Sequence, residues 1–185
     1  MTQTIQLYFP SAYAEYFDDL LMQANKDRAE KEKHKTIGSL IYSKICEYIT
    51  NLYPQYISWL PTKNFNNRRI DAKFTSFTLA DLQDTETDDS AQITLVLTDK
   101  TLEKLCTLLA WIEALDTELQ KQTGARKNVD VLFRGKNELF KNTIIEALKP
   151  LLVKVEEQER AVEEAEEKAA SEATATKPVE KPSTQ

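Results

Sequence analysis

A chain of 185 residues, 41% hydrophobic and 29% charged, has room for one domain of ordinary size or two very small ones with a buried core and a charged surface. No apolar run approaches the roughly 18 residues that span a bilayer, which excludes a membrane-spanning helix. The net charge of −6 is concentrated in two places: residues 156–185 hold nine acids and four bases, and Asp81 to Asp89 hold five acids and no base.

The first 80 residues carry ten bases against eight acids, as do residues 91–155, so an acidic total does not by itself exclude a polyanionic partner. The start, MTQTIQLYFP, lacks the basic stretch and apolar core of a secretion signal. Cys46 and Cys106 stand alone inside helix-like patterns and read as buried, unpaired thiols. Both features lead us to expect a cytoplasmic protein.

TIQLYFPSAYAEYF opens the chain. Ile5, Leu7 and Phe9 alternate as in a half-buried strand; after the break at Pro10-Ser11, apolar spacings of three and four predict a helix with Ser11 as its N-cap. Pro10 is expected to end the strand early and to remove an amide donor. A second helix is predicted in KTIGSLIYSKICEYI, Lys35 to Ile49. Pro54 to Ser90 is a long connection whose aromatic first part can dock on the body. Its end, DLQDTETDDS, reads as solvated linker.

QITLVLTDKTLEKL, Gln92 to Leu105, then repeats the opening pattern. A shift of 88 positions lays Ile5, Leu7 and Phe9 on Ile93, Leu95 and Leu97, and Phe17, Leu20 and Leu21 on Leu105, Leu108 and Leu109. Asp99 is the matching N-cap candidate. A shift of 99 lays Leu40, Ile41, Ile45 and Ile49 on Leu139, Phe140, Ile144 and Leu148 of RGKNELFKNTIIEAL. The difference is an insertion around KQTGARKNVDVLF, where Gly124 suits a helix stop and Val129 to Phe133 suit a short strand or simple packing. Beyond Pro150 a charged, largely solvated helix is predicted through EEQERAVEEAEEKAASEA, and ATATKPVEKPSTQ is disordered by composition.

A strand followed by two helices cannot pair its own strand, so two copies imply a shared antiparallel ribbon over four helices. This order, carried by TIQLYFPSAYAEYF with KTIGSLIYSKICEYI and by QITLVLTDKTLEKL with RGKNELFKNTIIEAL, resembles the ribbon-helix-helix family of the Arc and MetJ repressors. The expected fold is therefore α+β and mostly helical: a tandem ribbon-helix-helix pseudo-dimer with a charged C-terminal helix and a disordered tail. Its parts are units at 1–53 and 91–152, a connecting segment at 54–90, and an acidic tail at 153–185.

The resemblance implies double-stranded DNA as partner, with the ribbon in the major groove, in a transcriptional repressor or a plasmid or phage accessory factor of a bacterial cytoplasm or nucleoid. The outward strand face offers Thr4, Gln6, Tyr8, Gln92, Thr94 and Val96 for base contact: Gln can bond adenine through two atoms, Thr can bond or touch a thymine methyl, and Val makes apolar contact only. No Arg or Lys stands there to read guanine. Equally, these are ordinary residues for a solvated ribbon.

The starts of the second helices supply phosphate candidates: Thr36, Gly38 and Ser39 in one copy, Arg134, Gly135, Lys136 and Asn137 in the other. Thr36 and Asn137 could equally be plain N-caps. Lys26, Arg28, Lys31, Lys33 and Lys35, the pair Arg126 and Lys127, and the run Asn66 to Arg69 are further basic candidates, each also readable as solvated surface. A lone His34, three glycines and no ligand spacing point away from an enzyme, a metal or a cofactor. The alternative function keeps the fold without DNA: an antitoxin-like or inhibitor-like interaction module. The acidic tail is a candidate docking point for a protein partner, and further self-association is open.

Overall fold

The computed structural model describes residues 1–65, 68–69, 75–123 and 136–175. Two nine-residue strands, β1 (Thr2–Pro10) and β4 (Ser90–Thr98), pair antiparallel, with Thr2 opposite Thr98, Gln6 opposite Thr94 and Pro10 opposite Ser90. Pro10 does not shorten its strand. It is the last residue, where a missing amide costs no ladder bond within the pair's interior. The alternation expected from sequence holds: Ile5, Leu7 and Phe9 are buried together with Ile93, Leu95 and Leu97.

That apolar face is covered by helices, making the fold mostly helical. α1 (Tyr13–Asn25) buries Phe17 and Leu20, and Phe9 meets Phe17 edge-on with ring centroids 5.1 Å apart. Its N-cap position is Ala12 rather than Ser11, without a side-chain cap. Asn25 closes the following link by bonding both the amide and the carbonyl of His34, at 2.8 and 2.7 Å. A 3-10 turn at Glu30–Glu32 lies within that link.

α2 (Ile37–Thr62) starts from a capping box in which Thr36 Oγ1 accepts the Ser39 amide and the Ser39 hydroxyl accepts the Thr36 amide. It buries Leu40, Ile41, Ile45 and Ile49 and packs on β4. The helix runs past residue 53 through Pro54. Near this site the Gln55 side chain bonds the Asn51 carbonyl, and Lys63 ends the helix in a left-handed conformation, φ 45°. Tyr56 and Trp59 each approach Trp111, with ring centroids 5.7 and 5.9 Å away. A minimal strand pair follows, β2 (Asn64–Phe65) with β3 (Arg68–Arg69).

α3 (Leu79–Leu82) is a single turn opened by a second capping box, Thr78 with Asp81. Phe77 before it and Leu82 at its end are buried, and the Phe77 amide bonds the Cys106 carbonyl. α4 (Asp99–Thr123) directly continues β4. Its start is capped by Thr98, whose Oγ1 accepts the Thr101 amide, while Asp99 instead holds the Met1 amine and the Gln3 amide. α4 buries Leu105, Leu108 and Leu109 and packs against α2.

α5 (Lys136–Ala175) buries Leu139, Phe140, Ile144 and Leu148. Burial pushes the Tyr48 hydroxyl of α2 up to about 12, while a hydrogen bond to Thr143 of α5 pulls the other way. Cys46 is half-buried and Cys106 buried, and neither is in a disulfide.

The chain divides into two units, Met1–Lys149 and Pro150–Gln185. In the second, the charged helix expected from sequence extends to Ala175; Val153, Glu157, Arg160, Glu164 and Lys168 along it are exposed. Ala173 to Ala175, the first residues of the end expected to be disordered, instead close this helix; the rest of that end, the expected helix stop at Gly124 and the expected strand at Val129 to Phe133 lie outside the described residues. Among the described residues no helix is long and apolar enough to cross a membrane.

Candidate nucleic-acid interface

Pairing inward residues at odd positions of β1 and β4 leaves the even positions of both strands on the other face. Three opposed pairs result: Thr4 with Val96, Gln6 with Thr94, and Tyr8 with Gln92. Gln6 and Tyr8 are half-buried and the other four exposed; Val96 keeps 49% of its surface. The Gln92 side-chain amide donates to Gln6 Oε1 across the strands. The result is a strip of amides, hydroxyls and one apolar side chain without a charge, all six groups that sequence reasoning nominated.

The two edges of this strip differ. On the β4 side, α2 begins against the ribbon: a Cβ on Gly38 would stand 2.2 Å from the Thr94 carbonyl oxygen. Glycine here permits a close backbone approach. Thr36 and Ser39 commit their hydroxyls to each other's backbone, so this first trio of phosphate candidates has a structural employment. The nearby bases are partly paired as well, Lys33 with Glu30 at 2.8 Å and Arg28 with the Ala24 carbonyl.

On the β1 side the edge is held by the segment before β4. Asp84, which the sequence places in solvated linker, is only 9% exposed in its side chain. Its Oδ2 accepts the Tyr8 amide at 3.1 Å and the Lys141 ammonium at 2.7 Å, and its Oδ1 accepts the Asn137 amide at 2.9 Å and the Thr85 amide at 3.0 Å. Lys141 also bonds the Tyr8 carbonyl at 3.0 Å, and Gln83 reaches the Thr4 carbonyl. One turn earlier Asp81 pairs with Lys136 at 3.2 Å, and that ammonium lies over the Phe77 ring. Lys136 and Asn137 are thus already occupied by carboxylates. Asn137 is not an N-cap, since it lies inside α5.

Arg134, Gly135, Arg126, Lys127, Asn66 and Asn67 lie outside the described residues; Arg68 and Arg69 form β3. Sequence reasoning missed Asp81, Asp84 and Lys141. The available signal was the pair Phe77 and Leu82, apolar residues before and at the end of a short helical turn, which bring the first acids down onto the body.

Burial raises the Asp84 carboxyl, but the Lys141 ammonium and the Tyr8 and Thr85 amides outweigh it and hold the group below its ordinary range. The Thr78 amide, with help from the Thr78 hydroxyl and Lys136, lowers Asp81. A depressed carboxylate contributes stability that is complete above its unfolded value, about 4, and is lost as pH falls through the folded value. The urea midpoint is therefore expected to stay level from about pH 7 to 5 and to fall below about pH 4. Asp84→Asn is expected to flatten part of that fall; an acid limb of unchanged depth in the variant would assign it to other carboxylates.

No family model, curated protein or solved structure matches the chain.

Proposed function

We propose that the chain binds double-stranded DNA, laying the β1–β4 ribbon in the major groove. The observation that carries this reading is the register of the ribbon. Under the 88-position shift, Thr4 maps to Gln92, Gln6 to Thr94 and Tyr8 to Val96. The pair Thr4–Val96 then becomes the pair Gln92–Tyr8, and Gln6–Thr94 maps onto itself. The ribbon thus has the symmetry of a two-fold axis through Gln6 and Thr94, with helices on one side and an uncharged hydrogen-bonding strip on the other.

Burial repeats in the same way. Leu40, Ile41, Ile45 and Ile49 are matched 99 positions on by Leu139, Phe140, Ile144 and Leu148. Both features support a tandem ribbon-helix-helix pseudo-dimer, and a major groove admits a two-stranded ribbon. In this reading the protein is a repressor or a plasmid or phage DNA accessory factor of a bacterial cytoplasm or nucleoid. The second reading, an antitoxin-like or inhibitor-like interaction module, is favoured by one observation: Asp84 borders the ribbon on the Tyr8 amide, where its charge repels a polyanion.

Binding of labelled fragments over a salt series separates the two. DNA binding is expected to give a linear loss of log affinity with log salt, with a slope of about −0.9 for each phosphate neutralised. Gln6→Ala and Thr94→Ala are expected to change sequence preference, by about 1–3 kcal/mol for each base-specific hydrogen-bonded pair removed. The preferred site is expected to have unequal halves, because Thr4 differs from Gln92 and Tyr8 from Val96. No binding to any fragment, or unchanged preference in both variants, removes the ribbon as a reader of DNA.

A further inference from the structure

A ribbon seated in a major groove has the two sugar–phosphate backbones along its edges, so whatever lines an edge faces phosphate. The β1 edge is lined by a constellation that suits an oxyanion. The Tyr8 amide, the Asn137 side-chain amide and the Lys141 ammonium converge on one carboxylate, that of Asp84, within 3.1 Å. Lys136 stands one turn away on Asp81. These donors come from β1 and α5. Asp81 comes from α3 and Asp84 from the acidic run that connects α3 to β4.

We propose that Lys136, Asn137, Lys141 and the Tyr8 amide form a phosphate site, and that the chain's own Asp84 and Asp81 fill it as internal phosphate mimics until a DNA backbone displaces them. The proposal rests on the DNA-binding reading for its ligand; the anion site itself does not. Charge and geometry give the exchange its logic. An amide and an ammonium that hold a carboxylate also hold a phosphate oxygen, with the same charge-assisted bonds. A carboxylate left in place beside a phosphate repels it, so the free protein discriminates against weak, nonspecific duplex contacts. Only a duplex that also engages the ribbon face supplies enough energy to lift the segment away. The acids Glu86, Asp88 and Asp89 further along are exposed, which lets the displaced segment remain in water.

The test uses the full chain and its Asp84→Asn variant, which keeps the side chain's size and removes its charge. Random-sequence duplex is expected to bind the variant about tenfold more tightly at low salt, with a salt slope steeper by about one to two phosphates. Lys141→Gln in the Asp84→Asn background is expected to cancel the gain. Equal affinity and slope in the folded variant would overturn the mimic while leaving the DNA reading intact. If neither chain binds any duplex, the DNA reading fails and inorganic phosphate decides the anion site. Phosphate is then expected to shift the Tyr8 backbone and Asn137 side-chain amide resonances of Asp84→Asn and not of the unsubstituted chain. No shift in the variant overturns the site. Should Asp84→Asn not fold, Asp81→Asn, at the more exposed Lys136 pair, carries the same comparison.

Discussion

Gly38→Ala is expected to destabilise the protein by about 1–3 kcal/mol, the cost of overpacking a tight contact. Intrinsic helix propensity gives the opposite sign, since alanine is better than glycine in a helix interior by about 1 kcal/mol. Geometry decides which effect wins. The added methyl would lie 2.2 Å from the Thr94 carbonyl oxygen and 3.3 Å from its carbon. Both are backbone atoms of the central pair of the ribbon, so no flexible side chain can swing aside. Relief requires the start of α2 to retreat from β4, and Leu40 and Ile41, fixed two and three residues on, would retreat with it.

The net loss is expected as a lower urea midpoint at unchanged slope. A more stable Gly38→Ala would sink the close approach on which the β4 edge depends. The position matched to Gly38 by the 99-residue shift is Asn137, which works through its side chain on Asp84 instead. The two edges of the ribbon therefore differ in what fills the gap between helix and strand.

Where the sequence speaks clearly, it records burial. Ile5, Leu7 and Phe9 alternate because one face of a strand meets the core; Leu40, Ile41, Ile45 and Ile49 recur at helical spacing for the same reason. Such periods are local and survive in the chain as text. The N-caps are less legible. Ser11 and Asp99 are suitable types, but Thr98 sits one residue earlier and takes the Thr101 amide, leaving Asp99 to the Met1 amine and Gln3. Pro54 suggests a boundary, yet α2 continues through it.

The acidic run reads as solvated because nothing local tells a partnered aspartate from a free one. Asp84 meets Lys141 across 57 residues of sequence, and Tyr8 across 76. The outward strip is legible residue by residue, since alternation fixes both faces at once. The anion constellation at its edge is not, because it is assembled from three separate segments.

Phe140→Ala is expected to cost about 3–5 kcal/mol. Phe140 is the largest of the fully buried side chains among the described residues, so truncation removes its transfer energy and leaves a void its neighbours fill only in part. Against a typical total of about 5–15 kcal/mol, that loss brings the fold close to its limit. The shape of the transition carries more information than its midpoint. β1 belongs to the first half of the chain and β4 to the second, and among the described residues each has only the other strand to satisfy its ladder. The half containing α5 therefore cannot unfold while the other half stays native. Unfolding of the Met1–Lys149 unit is expected to remain a single transition in Phe140→Ala, with probes in both halves, Trp59 and Trp111 fluorescence and ribbon amide exchange, moving together. The matched change Ile41→Ala, at about 2–5 kcal/mol, is expected to lower that same transition. Two separated transitions, only one of them shifted, would mean that the two halves fold on their own and merely touch, and the shared ribbon would lose its role as the element that joins them.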